Sequence, residues 1–351
     1  MAVKKRRATI KKQKGKGLLL AGDVGATKTK LALYDPSGDL CKPQNVQTFQ
    51  GQDYPGLVEV LSEYLTRAKK KPLAACFGIA GPVVDGHVKM VNLNWEIDAA
   101  ELCSDFGLRA AWLINDLKAV ANAVPLLKSN ELHSINKGKP ELHGTVAVIA
   151  PGTGVGIGYL TWAADRYQAY ATEGGHANFA PANALQDELL AFLRGKYSQV
   201  ALEHVCSGLG LPNVYEFFKS TGRAEEPAWL AQELAAAEDA TPLIVEHALA
   251  AKPGSEICQL TLQVFVEVLG AAAGNLALTL GATGGVYLGG GISPRILPAF
   301  ERFGFMDAFL NKIGYRDYLA RFPVHVILNP ESALLGAADY GRQQLQHPEG
   351  V

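Results

Sequence analysis

Two stretches of this chain share one design: an apolar strand, a turn that contains glycines, and a second apolar strand. The first reads LLLAGDVG and then TKLALYD within residues 18–35, and the second reads VAVIA, PGTGVG and IGYL over residues 146–160. Alternating apolar residues in the second strand of the first pair predict one buried face. A third glycine cluster, Gly289-Gly290-Gly291, follows the apolar run GGVYL. This recurrence predicts a chain built from two similar halves.

Helical patterns lie between these strands. Apolar residues keep helical spacing over Leu57–Leu65 and Leu185–Leu193, a long apolar helix is predicted from about Glu256 to Leu280, and a last helix is predicted over Ser332–Leu345. The alternation of strands and helices predicts the α/β class. A length of 351 residues favours two domains, because single hydrophobic cores rarely grow that large.

One region resembles a membrane span by composition, since residues 268–294 contain no charged side chain. The glycines at positions 281, 284 and 285, together with the Gly289–Gly291 run, would break a spanning helix. We therefore expect a buried helix, a turn and then a strand with a glycine loop. No membrane association is expected.

Positive charge is concentrated at the N-terminus. The first 16 residues hold eight Lys or Arg and no acidic residue, which leaves 25 basic against 34 acidic residues and a net charge of about −9 for the rest. Such a segment is typical of a solvated, disordered tail, although nucleic-acid contact, membrane contact and targeting are alternatives. It is too short for a helix-turn-helix, and an acidic body repels phosphate backbones, so no nucleic-acid partner is expected.

The cysteines argue against a disulfide or zinc framework. Five are present, widely separated and without a C-x-x-C pair. An odd number without metal-ligand spacing favours a reducing, intracellular compartment, and we expect a cytoplasmic location.

The first glycine turn is a candidate phosphate site. Tight glycine turns expose backbone N–H groups that can donate to phosphate oxygens, and a strand-terminal carboxylate such as Asp23 can hold Mg²⁺ directly or through a water. A plain hairpin turn is the alternative. The candidate nucleotide-binding residues here are Gly22, Asp23, Gly25, Ala26, Thr27 and Lys28.

The second glycine turn follows the same logic, with Gly152, Thr153 and Gly154 as candidates. Neither turn matches a Walker A motif, which ends in G-K-[ST] before a helix. Neither matches a dinucleotide fingerprint, because a strand and not a helix follows each turn. Two such hairpins are what a nucleotide held between two halves would need.

Polar residues follow a third apolar strand. Ala110–Ile114 reads as a buried strand that ends in Asn115 and Asp116, before a helical stretch. The carboxyl end of a strand in an α/β protein is a common ligand site, but Asp is also a good helix cap, so both interpretations stay open. Glu173 and His176 are separated by two glycines, which lets both side chains face one small ligand.

In their order and spacing, the motifs GDVGATK, IND, PGTGVG, EGGH and LGGG resemble those of the bacterial glucokinase family, within the hexokinase, actin and heat-shock-ATPase superfamily. The resemblance runs from about Leu18 to Gly341. It implies two actin-like (ribonuclease H-like) α/β domains flanking a cleft. The implied division is a basic tail over 1–17, a small domain over 18–114 plus 329–351, and a large domain over 115–328.

The resemblance also implies the chemistry. Glucose would be phosphorylated at its 6-hydroxyl by ATP with Mg²⁺, the first step of glycolysis, with Asp116 as catalytic base. The two turns would hold the ATP phosphates, and Gly289-Gly290-Gly291 would lie against the adenosine. The implied sugar-binding residues are Asn115, Asp116, Glu173, His176 and Glu203. A homodimer is implied as well.

Some features depart from the family or separate this chain from its relatives. Ala26 stands where the family has glycine, and Lys30 where it has arginine, so the phosphoryl donor needs testing. No cysteine cluster follows His176, so the structural zinc of a related repressor and sugar-kinase family is not expected. Alternatives are a kinase for another hexose or donor, and a non-catalytic sugar-responsive regulator.

Overall fold

The computed structural model describes residues 17–90, 93–250 and 255–347. The predicted basic tail, apart from Gly17, and residues 348–351 lie outside these ranges. The described strands are β1 Leu18–Val24, β2 Lys28–Tyr34, β3 Gln44–Gln50, β4 Pro72–Ile79, β5 His87–Met90, β6 Trp95–Asp98, β7 Ala110–Asn115, β8 Leu132–Asn136, β9 Val146–Pro151, β10 Val155–Ala163, β11 Arg166–Thr172, β12 Gly285–Leu288 and β13 Val324–Ile327. The described α-helices are α1 Leu57–Ala68, α2 Ala99–Phe106, α3 Asp116–Ala123, α4 Ala184–Arg194, α5 Gly210–Ser220, α6 Ala228–Ala236, α7 Thr241–Leu249, α8 Glu256–Leu280, α9 Leu297–Arg302, α10 Phe305–Leu310, α11 Arg316–Leu319 and α12 Ser332–Gln346.

The two main sheets repeat one topology. In the first, with order β3-β2-β1-β4-β7, the first three strands pair antiparallel and β4 and β7 follow in parallel. The second, with order β11-β10-β9-β12-β13-β8, repeats this pattern and adds β8 antiparallel at its edge. A small antiparallel pair, β5-β6, stands apart from both. The two similar halves predicted from the recurring motifs are therefore present.

The repeated topology places the glycine turns at equivalent positions. The turn between β1 and β2 covers residues 25–27, and the turn between β9 and β10 covers residues 152–154. The third glycine cluster follows β12, the strand parallel to β9. All three predicted strand–glycine elements are confirmed.

Helix α3 is shared by the cores of the two halves. Its Ala119 and Ala123 pack in a cluster with Leu19 of β1, and its Leu117 packs in another cluster with Val148 of β9. Helix α12 returns the chain to the first sheet, where it packs on β1, β4 and α3. Burial of apolar side chains on both sides of α3 therefore fixes it between the sheets. The exact domain boundaries stay a prediction.

Helix α8 occupies the predicted bounds Glu256–Leu280. Among the described residues it is the one helix that is long and apolar enough to cross a membrane, but 72% of its most apolar stretch is buried inside the protein. It packs against α5, α7 and α10. The predicted buried core helix is confirmed, and such a helix is weak support for a membrane span.

Candidate active site

The end of β7 and the start of α3 place two polar side chains side by side. The Asn115 side-chain oxygen accepts hydrogen bonds from the N–H groups of Leu117 and Lys118, at 2.9 and 3.2 Å. Asn115 is therefore the N-cap of α3, the role that sequence reasoning had left open for Asp116. Asp116 is the first helical residue, and its carboxylate accepts from the Leu117 N–H at 2.8 Å.

The carboxylates of Asp23 and Asp116 lie within electrostatic range of each other. Burial raises the pKa of Asp23 to about 6, the Asp116 carboxylate adds to the rise, and Lys30 opposes it. Burial also raises the pKa of Asp116; the Leu117 N–H opposes this rise, and the Glu173 carboxylate adds to it. The Asp116 carboxylate therefore interacts electrostatically with Asp23 of the first sheet and with Glu173, which follows β11 of the second sheet.

Glu173, His176 and Glu203 form a cluster beside Asp116. The His176 ring lies 3.1 Å from Glu203 through Nδ1 and 3.9 Å from Glu173 through Nε2. The side chains of Glu173 and His176 are 71% and 64% exposed, whereas that of Glu203 is only 20% exposed, so Glu203 is the most shielded member of the cluster. The side chains brought together here are the ones that a small polyol could contact.

Glu203 also connects this cluster to the second glycine turn. A Cβ placed on Gly154 would lie 2.7 Å from Glu203 Oε2, so the carboxylate rests against the turn's backbone. The turn itself is closed by a hydrogen bond from the Gly152 N–H to the Gly154 carbonyl, at 2.8 Å. Thr153 is exposed at its tip. The predicted sugar and phosphate elements therefore meet at Glu203 and Gly154.

The first glycine turn is a tight hairpin in which the Gly25 N–H donates to the Lys28 carbonyl at 3.0 Å. Thr27 and Lys28 are exposed at the turn. Ala26 does not adopt a positive φ, so alanine carries no backbone strain in the position where the family has glycine. Gly22 lies inside β1 against Phe77, and its backbone belongs to the sheet ladder instead of the turn.

The third glycine cluster lies directly against the second turn. Gly290 has φ of +75°, and a Cβ there would lie 2.2 Å from the Pro151 carbonyl, so only glycine fits. Gly289 continues the sheet by donating its N–H to the Ile149 carbonyl at 2.9 Å. Of the three, Gly291 lines a cavity of about 630 Å³, which Gly152 and Thr153 also line.

Most of that cavity's wall was not found from the sequence. It comes from the segment that leads into α7, from α7 itself and from the residues after Gly291. The additional lining residues are Gly208, Leu209, Glu238, Asp239, Thr241, Pro242, Val245, Glu246, Leu249, Ile292, Arg295 and Ile296. The sequence from Asp239 to Pro242, which spans the start of α7, is typical of a helix start, but nothing in it indicates a ligand.

A second feature missed from the sequence is the partner of Lys30. The Lys30 ammonium lies 3.4 Å from the Glu331 carboxylate and opposes the rise in the pKa of Asp23. Glu331 is the N-cap residue of α12, 301 positions away in the chain. A lysine in this position is therefore held between two carboxylates by attraction to both.

Within the residues that the structure describes, no group of three or more His, Cys, Asp or Glu side chains is arranged to hold a metal ion. All five cysteines fall in that part of the chain, and none forms a disulfide. At the predicted magnesium position, Asp23 therefore belongs to no such group, although the Asp116 carboxylate lies within electrostatic range of it.

The raised pKa of Asp23 predicts a dependence of stability on pH. The pKa of Asp23 is taken as 3.8 in the unfolded chain and is about 6 in the folded protein. The contribution of Asp23 to the free energy of unfolding is therefore greatest below pH 4 and is lost as the pH rises through 6. We expect Asp23→Asn to raise the free energy of unfolding by about 2 to 3 kcal/mol at pH 7. The gain should vanish near pH 4.

Urea titrations of both proteins from pH 4 to pH 8 measure this difference. Asp105→Asn, on the exposed face of α2, is the control and should show little difference at any pH. If the wild type and Asp23→Asn have equal free energies of unfolding, or differ by the same amount at every pH, the assignment of a raised pKa to a buried Asp23 carboxylate is contradicted.

Comparisons with known proteins agree with this geometry. A family model described as Glucokinase matches residues 20–344. A glucokinase from Nostoc punctiforme is 37% identical over 337 residues, which cover 92% of this chain and 98% of that one. The predicted resemblance to bacterial glucokinases is confirmed.

Solved structures give the same result. A glucokinase from an Antarctic psychrotroph superposes with a TM-score of 0.80 at 32% identity, over 92% of this chain and 98% of that one. A ROK family glucokinase from Streptomyces griseus, solved in complex with glucose and AMPPNP, shares the fold with a TM-score of 0.63 at 21% identity, over 93% of this chain and 100% of that one. The predicted actin-like α/β fold is confirmed, and the chain belongs to the glucokinase family.

Proposed function

We propose that this chain is a glucokinase that transfers the γ-phosphate of ATP to the 6-hydroxyl of glucose, giving glucose 6-phosphate and ADP, with Asp116 as general base. One observation carries this proposal: Asp116 begins α3, the helix that packs against both sheets, and its carboxylate lies within electrostatic range of Asp23 from one half and Glu173 from the other. A base in that position can contact a sugar and a phosphate donor held between the sheets. Membership of the glucokinase family supports the assignment.

The sugar side is formed by Glu173, His176, Glu203 and Asn115. Each sugar hydroxyl can donate and accept, carboxylates accept, and an imidazole can do either. The Asn115 amide already donates one N–H to the Gly81 carbonyl at 3.3 Å, which leaves its second N–H for a hydroxyl. Among these groups Asn115 and Glu203 are the more shielded from solvent, so a sugar that lacks the hydroxyl facing either one would leave it unpaired and bind less well.

The nucleotide side is formed by the two glycine turns and the adjoining cavity. The Gly25 and Gly152 N–H groups close the two hairpins. The phosphate oxygens would therefore accept hydrogen bonds from the backbone N–H groups of Ala26 and Thr27 in the first turn and of Thr153 and Gly154 in the second. A volume of about 630 Å³ is in the usual range for a small-molecule site and accommodates a nucleoside. The complex of the Streptomyces griseus enzyme with AMPPNP supports an adenine nucleotide as donor.

Asp23 fits a magnesium ion. Mg²⁺ favours one or two carboxylates, with waters and substrate phosphates as its other ligands, and Asp23 beside a phosphate turn meets that need. Burial raises the pKa of Asp23, and the Asp116 carboxylate adds to the rise, so a bound cation would favour the ionised form of Asp23. Mg²⁺ bound there would neutralise charge on the donor phosphates.

The chemistry required of Asp116 follows from its position. The Leu117 N–H donates to one oxygen of the Asp116 carboxylate and leaves the other free to accept the proton of the glucose 6-hydroxyl. As this proton leaves, the hydroxyl oxygen of glucose bonds to the γ-phosphorus. The bond from phosphorus to the ADP oxygen breaks, and ADP leaves with that electron pair. A raised pKa makes Asp116 a better proton acceptor, and a loose transition state needs only a modest base.

A coupled assay across several hexoses and phosphoryl donors tests this function. We expect ADP release with glucose and ATP, weaker turnover with fructose, mannose and amino sugars, and none with polyphosphate or ADP as donor. Faster turnover of another hexose would identify a kinase for that sugar. Glucose binding without phosphorylation would identify a sugar-responsive regulator.

Replacing the sugar-side carboxylate gives a second test. Glu203→Gln keeps the side-chain shape but loses the charge that pairs with His176 and accepts from the sugar, so the glucose KM should rise by about 10-fold or more. Steady-state kinetics measure this change. Glu188→Gln, which alters an exposed carboxylate on α4, is the matched control. An unchanged glucose KM in the Glu203 variant would remove Glu203 from the sugar site.

A cytoplasmic location, a homodimer, and the absence of nucleic-acid and membrane partners stay predictions. The cytoplasmic location is supported by the five unpaired cysteines, which suit a reducing compartment. Sedimentation of the purified chain measures the oligomeric state.

A further inference from the structure

The segment Glu203–Gly210 lies between the predicted sugar cluster and the predicted nucleotide cavity. At one end, Glu203 pairs with His176 at 3.1 Å and rests against Gly154. At the other end, Gly208 and Leu209 line the cavity. A movement of this segment would therefore displace residues at both sites.

Backbone hydrogen bonds fasten the segment to the second glycine turn. The Gly208 N–H donates to the Gly152 carbonyl at 2.7 Å, and the Leu209 N–H donates to the Thr153 carbonyl at 3.2 Å. These two bonds form a short ladder, so the turn and the segment move together.

A buried serine fixes the shape of the segment. Ser207 is fully buried; its hydroxyl donates to the Glu203 carbonyl at 2.6 Å and accepts from the Gly210 N–H at 3.0 Å. With both hydrogen-bonding functions of the hydroxyl used, the turn from Glu203 to Gly210 has little freedom to rearrange.

Thr241 connects this assembly to the cavity wall. Its hydroxyl donates to the Gly208 carbonyl at 2.7 Å, and it is the first residue of α7, whose Pro242 and Val245 line the cavity. The Thr241 N–H is itself held by the Asp239 carboxylate at 2.9 Å. Contacts thus run continuously from the cavity wall through Thr241, Gly208 and Gly152 to the phosphate turn and Glu203.

We infer that Thr241 is a positioning residue that couples nucleotide binding to sugar binding, by tying α7 to the phosphate turn and Glu203. This inference rests on the proposed function, because it takes the cavity as the nucleoside site and the cluster as the glucose site. A nucleotide that orders α7 against the phosphate turn also orders Glu203 for glucose. Linkage requires that glucose strengthens nucleotide binding by the same factor.

The coupling factor is the Kd of AMPPNP without glucose divided by its Kd with saturating glucose. Calorimetric titration of the protein with AMPPNP and Mg²⁺, in the absence and presence of glucose, measures this factor. We expect glucose to tighten AMPPNP binding to the wild-type chain. In Thr241→Val, which keeps the side-chain shape but removes the hydroxyl, the factor should fall by roughly 3- to 10-fold or disappear, the scale of one lost hydrogen bond. Thr241→Ser should restore it.

Two further variants separate coupling from a merely structural role. Thr66→Val removes a comparable hydroxyl-to-carbonyl bond on α1 and should leave the factor unchanged. Ser207→Ala loosens the segment at its other end and should lower the factor as Thr241→Val does. A destabilised protein that binds both ligands weakly but retains the wild-type factor would show that Thr241 is only structural.

Failure of the inference and failure of the proposed function give different results. A wild-type chain that does not phosphorylate glucose contradicts the function. A wild-type chain that phosphorylates glucose but shows no effect of glucose on AMPPNP binding, or an unchanged factor in Thr241→Val, overturns the coupling role alone.

Discussion

Replacing Asp116 with asparagine is expected to lower kcat for glucose and ATP by about 10²- to 10⁴-fold, the usual contribution of a general base. An amide keeps the size of the side chain but does not accept the hydroxyl proton. Because Asn115, not Asp116, caps α3, the helix start should remain intact. Glucose affinity should change much less than kcat. Steady-state kinetics and calorimetric glucose titration separate the two effects.

The control for this experiment is Asp187→Asn. Asp187 is an exposed carboxylate that also lies in the first turn of a helix, in this case α4. It experiences the same kind of helix-terminal field but lies outside the candidate site, so kcat should be unchanged. Turnover within a few fold of wild type in Asp116→Asn, with folding intact, would show that another group accepts the proton.

Replacing Gly336 with alanine is expected to cost about 3 kcal/mol or more in the free energy of unfolding, and to reduce activity as well. Gly336 is a buried residue of α12, and a Cβ there would lie 1.7 Å from the Ala119 carbonyl oxygen of α3. The two helices would have to separate. Since Asp116 is the first residue of α3, its carboxylate would move with the helix.

Urea unfolding together with kcat measures both consequences. Gly38→Ala is the matched control, because Gly38 lies in an exposed turn, has no positive φ, and would place its Cβ no closer than 3.4 Å to another atom. That variant should be close to neutral. An alanine at position 336 without loss of stability would mean that α3 and α12 are not packed as closely as described.

Local sequence patterns predict most of the secondary structure and the repeat of the two halves. The two strand–turn–strand units, α8 and α12 were predicted nearly to their ends, because apolar periodicity and glycine breaks act within a few residues of chain. The repeated sheet topology followed from finding one motif twice. Both halves could therefore be expected before any tertiary contact was known.

The sites depended on contacts that sequence does not display. Residue patterns alone left Asp116 open as a helix cap, and the structure gives that role to Asn115, where the strand ends. The Lys30–Glu331 pair joins residues 301 positions apart, and α7 forms part of the cavity wall together with segments distant from it in the chain. Such long-range approaches are set by tertiary packing, and no local periodicity encodes them.

In the proposed reaction, Asp116 acts as the base while phosphate passes from ATP to the glucose 6-hydroxyl. Phosphorus NMR of wild-type and Asp116→Asn protein, each incubated with glucose, ATP and Mg²⁺, tests it most directly. We predict ADP and glucose 6-phosphate in equal amounts from the wild type, and almost none from the variant over the same time. Phosphate on another sugar position, free phosphate instead of a sugar phosphate, or equal rates from both proteins would contradict it.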